Sequence, residues 1–170
     1  MKLPLIHIIG LPGAGKTTLA KRLSKRLKVP IYGIGFYRTR FSITAIGEAD
    51  AWLALFKDLS KRGWKNCILE TTGLNARENF LSAALPLDKM TVVKLEASRK
   101  TLIERIGQKK KTEQGGKWLY SSQFKDKYDF VRKMYARFKK IRSHFSIKTD
   151  RMTKQEVFSE ALKKIRNFCE

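Results

Sequence analysis

Gly10-Leu11-Pro12-Gly13-Ala14-Gly15-Lys16-Thr17-Thr18 follows directly on the apolar run Leu3 to Ile9. A short apolar run bounded by turn signals reads as a buried strand. A glycine-rich turn that leaves it and opens a helical pattern reads as a phosphate-binding loop of the Walker A type. The residue types match the chemistry. Glycines let successive backbone N–H groups curl around phosphate oxygens, Lys16 adds a charge to the same oxygens, and Thr17 offers a hydroxyl to Mg²⁺. The helix that follows adds its positive N-terminal dipole. Residues Gly10, Leu11, Pro12, Gly13, Ala14, Gly15, Lys16, Thr17 and Thr18 are therefore the expected nucleotide-phosphate site, with Thr17 also a metal ligand.

Outward from this loop, strand and helix signals alternate to the end of the chain, which predicts a parallel sheet covered on both faces. A helix from about Lys16 to Lys28 carries Leu19, Leu23 and Leu27 on one face and stops at Val29-Pro30. Ile31 to Ile34 reads as a short second strand, and Thr44 to Arg62 as a helix ended by Gly63. Cys67-Ile68-Leu69 is a third strand. Asn75 with Glu78 resembles a cap for a short helix reaching Leu85. Met90 to Leu95 is a fourth strand, followed by a helix from Arg99 to Ile106 with Ser98 as its cap. Periodicity is lost from Gly107 to Ser122, a loop expected to act as a lid over about 107–123. Phe124, Tyr128, Val131, Tyr135, Phe138 and Ile141 recur at spacings of three and four, the pattern of a core-facing helix stripe. Phe145 to Ile147 is a fifth strand, and Thr153 with Glu156 is a capping box for the last helix.

The chain has 170 residues, the length of one domain, and residues 1–170 are expected to form a single unit. No apolar stretch reaches the length of a membrane span and no leader pattern opens the chain, so a cytoplasmic protein without membrane contact is expected. Cys67 and Cys169 are too few for a disulfide framework or a zinc site, and His7 and His144 lie in or beside apolar segments as packing residues. Lys and Arg number 37 against 15 Asp and Glu, a formal charge of +22. Residues 99 to 142 hold 15 basic and 4 acidic residues and so supply half of that excess. Polyanions, meaning RNA, DNA or a nucleotide, are the natural partners of such a chain; a lysine-rich surface with no defined partner is the alternative.

Three further features narrow the chemistry. Asn66-Cys67-Ile68-Leu69-Glu70 is an apolar strand that ends in a carboxylate, where Glu70 can organise Mg²⁺ or accept a proton. Thr71-Thr72-Gly73-Leu74-Asn75-Ala76-Arg77 follows at the strand's C-terminal end, the edge at which open α/β sheets bind ligands, so Thr71, Thr72, Asn75 and Arg77 face an acceptor. Arg105 precedes the Lys-rich loop, whose Lys109, Lys110, Lys111 and Lys117 can neutralise a moving phosphoryl group or simply stay solvated.

With these residues in view, the chain resembles the compact P-loop kinases, and is most similar to those of the polynucleotide kinase and zeta-toxin-like type. The resemblance covers nearly the whole chain. It is carried by Gly10 to Thr18, Ile34-Gly35-Phe36-Tyr37-Arg38, Leu69-Glu70-Thr71-Thr72-Gly73-Leu74-Asn75, Val93-Lys94-Leu95-Glu96-Ala97-Ser98 with Arg105, and Thr149-Asp150. It implies a three-layer α/β fold with a five-stranded parallel sheet in the order 2-3-1-4-5, ATP·Mg²⁺ as donor, and an acceptor hydroxyl or phosphate. Relatives often carry Asp-x-Tyr-Arg where this chain has Gly35-Phe36-Tyr37-Arg38, and residues 1 to 47 contain no acid at all. Either Glu70, Glu48 or Asp50 supplies the base, or an acceptor phosphate needs none, or transfer has been lost. Tyr37, Arg38 and Arg40 lie on the acceptor side, where guanidinium groups suit a phosphate.

The expectation is an ATP-dependent kinase acting on a nucleic-acid end or a nucleotide, with Lys16, Glu70 and Arg105 catalytic. A small-molecule kinase of shikimate-kinase size is the first alternative. A nucleotide-dependent nucleic-acid-binding module with weak or no transfer is the second. Oligomeric state is not legible in the sequence.

Overall fold

The computed structural model describes residues 3–42, 44–74, 90–108 and 124–169. Its frame is five parallel strands: β1 (Leu5–Gly10), β2 (Ile31–Gly33), β3 (Cys67–Thr71), β4 (Met90–Glu96) and β5 (Phe145–Lys148). They lie in the order β2-β3-β1-β4-β5, as the resemblance implies. β1 is central, pairing Leu5 with Cys67 on one side and with Met90 on the other.

Every residue of β1 is buried, because helices cover both faces of the sheet and alternate side chains pack to each. Ile6, Ile8, Ile68, Val93 and Leu95 point to one core with α1 (Lys16–Leu27), α4 (Arg99–Gln108), α5 (Lys127–Lys139) and α6 (Lys154–Cys169). Leu5, Ile9, Cys67, Leu69, Met90 and Val92 point to the other, with α2 (Ile34–Arg38) and α3 (Ala45–Lys61).

Several helices start at side-chain caps, of which Ser98 and Thr153 are legible in the sequence. The Thr44 side chain accepts from the Gly47 amide at 3.0 Å, a contact of the kind worth about 1 kcal/mol. Thr153 and Glu156 exchange reciprocal bonds at 2.7 and 3.2 Å, and Ser98 Oγ accepts from Thr101 at 3.1 Å. Several boundaries differ from expectation by one or two residues, β1 starting at Leu5 and ending at Gly10 among them, and two of the differences bear on the site. Residue 34 ends no strand: β2 stops at Gly33 and Ile34 opens α2, a helix of 5 residues too short to show a 3.6-residue repeat. β3 runs one residue past Glu70 to Thr71. The expected helix from Asn75 to Leu85 and most of the expected lid lie outside the described residues, although 107 and 108 are the end of α4.

Two polar groups, the buried Lys94 and the half-buried His144, belong to the frame. The Lys94 ammonium donates to the Lys139 and Ile141 carbonyls at 2.9 and 3.1 Å and meets Glu96 at 2.8 Å, so it caps the C-terminal end of α5. His144 Nδ1 accepts from the Val92 amide at 2.8 Å and ties the entry of β5 to β4. Among the described residues no helix is long and apolar enough to cross a membrane.

Candidate active site

The loop between β1 and α1 is built to receive an anion. Its turn is closed by the Ala14 amide on the Leu11 carbonyl at 3.1 Å. Gly13 has φ +85°, and a Cβ there would stand 2.6 Å from the Leu102 carbonyl oxygen of α4, so only glycine lets loop and helix approach this closely. Gly15 is the residue before α1, at φ 94°, and gives the helix no side-chain cap. Nor does the first turn carry an acid. The leading N–H groups of α1 thus have no side chain of their own to satisfy them, and the helix dipole is not offset locally. Such an end favours phosphate. Lys16 Nζ lies 3.3 Å from the Leu11 carbonyl, folded back over the loop.

Parallel pairing of β1 with β3 sets Ile8 beside Glu70 and Ile9 beside Thr71. It therefore delivers Glu70 to the same edge as the phosphate loop, and the Thr17 hydroxyl donates to Glu70 Oε1 at 2.6 Å. These are two hard oxygen donors side by side, a fit for Mg²⁺ completed by phosphate oxygens and water. Among the described residues no group of three or more His, Cys, Asp or Glu gathers as a metal site. A cation held by one or two protein oxygens plus substrate phosphates requires none.

Behind Glu70 the site is stiffened from within. His7 Nε2 and the Thr71 hydroxyl lie 2.8 Å apart in the core, and the Gly73 amide donates to the same hydroxyl at 3.1 Å. Burial holds the His7 imidazole down at about 4, so it stays neutral. Thr71 is itself buried. Its hydroxyl is used inside the molecule to shape the turn. Thr72 is half-buried and accepts from the Leu74 amide at 3.4 Å.

The acceptor-side residues are likewise tied into the frame. Tyr37 is buried, and its hydroxyl donates to Asp58 at 2.8 Å; desolvation, with that carboxylate, drives its pKa upward. Arg38 makes a two-pronged pair with Glu48 at 2.7 and 2.6 Å, and Trp52 Nε1 donates to the same carboxylate at 2.9 Å. Tyr37 and Arg38 therefore lock α2 to α3 instead of standing free for a ligand, and Glu48 is committed to that lock. Arg40 is exposed, its guanidinium carbon 5.9 Å from the Tyr37 ring centre.

Arg105 crosses from α4 to the end of β5, donating to the Thr149 hydroxyl and carbonyl at 2.9 and 2.6 Å. Next to it Asp150 accepts from the Ser98 amide and the Thr101 hydroxyl, both at 2.8 Å. The Ser98 amide, before other influences, holds its carboxyl below the usual range. Sequence spacing gave no sign that Ser98, Thr101, Arg105, Thr149 and Asp150 would form one cluster, since strand pairing alone brings residues 98 and 150 together. Asn75, Arg77, Lys109, Lys110, Lys111 and Lys117 lie outside the described residues.

The same architecture occurs in solved structures. The chain is similar to a shikimate kinase from Acinetobacter baumannii in complex with shikimate at 19% identity, covering 97% of this chain and 94% of that one with a TM-score of 0.67. A gluconokinase from Sinorhizobium meliloti 1021 matches at 15% identity, with 98% and 94% covered and a TM-score of 0.67. A thymidylate kinase from Candida albicans matches at 17% identity, with 98% and 92% covered and a TM-score of 0.61. At these identities the likeness speaks for the fold, which is that of the P-loop kinases. No curated protein sequence matches the chain. The family model described as AAA domain matches residues 6–127, from inside β1 to the start of α5 and so across the phosphate loop and Glu70, and the chain belongs to that family.

Proposed function

We propose that the protein is an ATP-dependent kinase whose acceptor is a small molecule or a nucleotide. One observation carries the reading: Thr17 and Glu70 meet at 2.6 Å beside an uncapped α1 N-terminus, so phosphate and metal ligands share one edge of the sheet. In this reading Lys16 and the loop amides from Gly10 to Thr18 hold the β- and γ-phosphates of ATP. Thr17 and Glu70 hold Mg²⁺, which supplies charge stabilisation to the phosphoryl group in transit. Glu70 also stands nearest to taking a proton from an acceptor hydroxyl, because Glu48 is bound to Arg38 and Trp52. Arg105 acts as a positioning residue through Thr149. The segment about 107–123 serves as lid to a single domain of 170 residues. ATP and Mg²⁺ as substrates fit a cytoplasmic protein.

The neighbours that share the fold carry the names of shikimate, gluconate and thymidylate kinases, which supports an acceptor of that size. A second reading, transfer to a nucleic-acid end in the manner of polynucleotide kinases, is favoured by the +22 charge. Transfer of labelled γ-phosphate from ATP·Mg²⁺ to a panel of hydroxy acids, sugars, nucleosides, nucleoside monophosphates and 5′-hydroxyl oligonucleotides tests both. Label on a small acceptor, lost in Lys16→Ala, supports the first; label on oligonucleotides alone supports the second. ATP binding with no labelled acceptor leaves the nucleotide-gated binding module as the better account.

A further inference from the structure

At the end of α1 opposite the phosphate loop lies a cleft of about 400 Å³ between α1 and α6, lined by Arg22, Lys25, Arg26, Lys28, Gln155 and Phe158. We propose that this cleft is a second anion site that binds the phosphates of a single-stranded nucleic acid. Twelve residues of helix separate Lys16 from Lys28, about 18 Å at 1.5 Å per residue, so this site is distinct from the donor site.

Four cations and no carboxylate line the cleft. Among the described residues none of Arg22, Lys25, Arg26 and Lys28 forms an ion pair, and the sequence holds no acid before Glu48. Four like charges converging without a counter-ion repel one another, and a bound polyanion relieves that repulsion. Arg22 is already positioned: its Nη1 donates to the Lys154 carbonyl at 3.2 Å and to Gln155 Oε1 at 2.8 Å, leaving its Nε and Nη2 donors without a partner among the described residues.

A plain structural role explains only part of this. Lys25 and Arg26 stand in the last turn of α1, where any cation complements the helix dipole. Lys28 is the C-cap residue, and its backbone amide donates to the Ser24 carbonyl. It ends the helix at φ 56°, ψ 42°, a conformation that glycine adopts without cost. Phe158, half-buried against the core, turns its remaining surface to the cleft, and cations combined with an aromatic ring are the composition of sites that track a strand's backbone while stacking a base.

The test is fluorescence anisotropy with labelled single-stranded RNA and DNA of roughly 12 nucleotides, a length within the usual site range, measured without ATP over a salt series. Four phosphate contacts on a single strand give a slope of log K against log salt near −3, at about 0.7 per contact. The double variant Lys25→Gln/Arg26→Gln is expected to lose about tenfold in affinity and to flatten the slope by about 1.4, at about 0.7 per lost contact. Lys28→Gly is expected to weaken binding while raising or preserving the unfolding midpoint, an outcome that a purely structural Lys28 would not give. Lys16→Ala should bind the strand as wild type does, which separates this site from the donor site. The proposal is overturned if the wild type binds no strand, or if these variants keep full affinity and slope. Equal competition by a free mononucleotide, or binding to anionic vesicles with none to nucleic acid, also overturns it, in favour of a nucleotide pocket or a lipid surface.

Discussion

Thr17 and Glu70 are 53 residues apart in the chain and 2.6 Å apart in the fold. The hydroxyl opens α1 and the carboxylate sits near the end of β3, so parallel pairing of β1 with β3 makes the contact. If this pair holds the metal, Glu70→Gln and Thr17→Val should each lower phosphoryl transfer on the order of 10²-fold while leaving metal-free ATP affinity within a few-fold. Added Mg²⁺ should restore part of the loss. Rates that stay at wild type across a Mg²⁺ titration would remove the pair from metal handling.

Gly13 and Gly15 both have positive φ, yet their surroundings differ. A Cβ at Gly13 meets the Leu102 carbonyl at 2.6 Å, whereas one at Gly15 meets nothing within 4 Å. Gly13→Ala should therefore combine backbone strain with a backbone clash and cost about 3 kcal/mol, against about 1 kcal/mol for Gly15→Ala. Urea unfolding of the two variants checks this. Equal losses would mean that α4 does not press against the loop.

The Arg38–Glu48 pair is mostly buried, with the two side chains 16% and 15% exposed. Removing one partner leaves the other charged and desolvated, so Arg38→Ala or Glu48→Ala should destabilise the fold by about 3 kcal/mol. The double variant should lose less than the sum. An arginine whose role was to clamp an acceptor would instead raise KM and leave the unfolding midpoint where it was.

His7 gives a stability signature in pH. Its folded pKa is lowered by burial to about 4 from the ordinary 6.5, so between these values the unfolded chain binds the extra proton. Stability is then full above about pH 6.5 and falls as pH drops toward 4, by about 2 kcal/mol between pH 7 and pH 5. Burial lowers the His144 pKa as well, and it contributes in the same direction. His7→Gln should flatten most of this slope in urea unfolding at the two pH values. An unchanged slope would move the effect to His144.

Much of this protein was decided by local sequence. The loop from Gly10 to Thr18 announces itself because positive-φ glycines, a lysine and a hydroxyl must be contiguous to wrap a phosphate. Helix ends at Ser98 and Thr153 were legible because a cap is satisfied within three residues. The core stripes of α1 and α5 were legible through their repeat. What tertiary structure alone decided are contacts between residues far apart in the chain. Glu70 was a metal-ligand candidate already from its place at the strand end, but its contact with Thr17 exists only because β3 pairs beside β1. Tyr37, Arg38 and Thr71 read as ligand-facing from their residue types, and packing pairs the Tyr37 hydroxyl with Asp58, two nitrogens of Arg38 with Glu48, and the Thr71 hydroxyl with His7. The cluster joining Arg105 to Thr149 and Ser98 to Asp150 needs β4 and β5 side by side. A hydrogen-bonding side chain carries its capacity in the sequence, but its partner is set by packing, and in this protein packing determines which polar groups remain free to act.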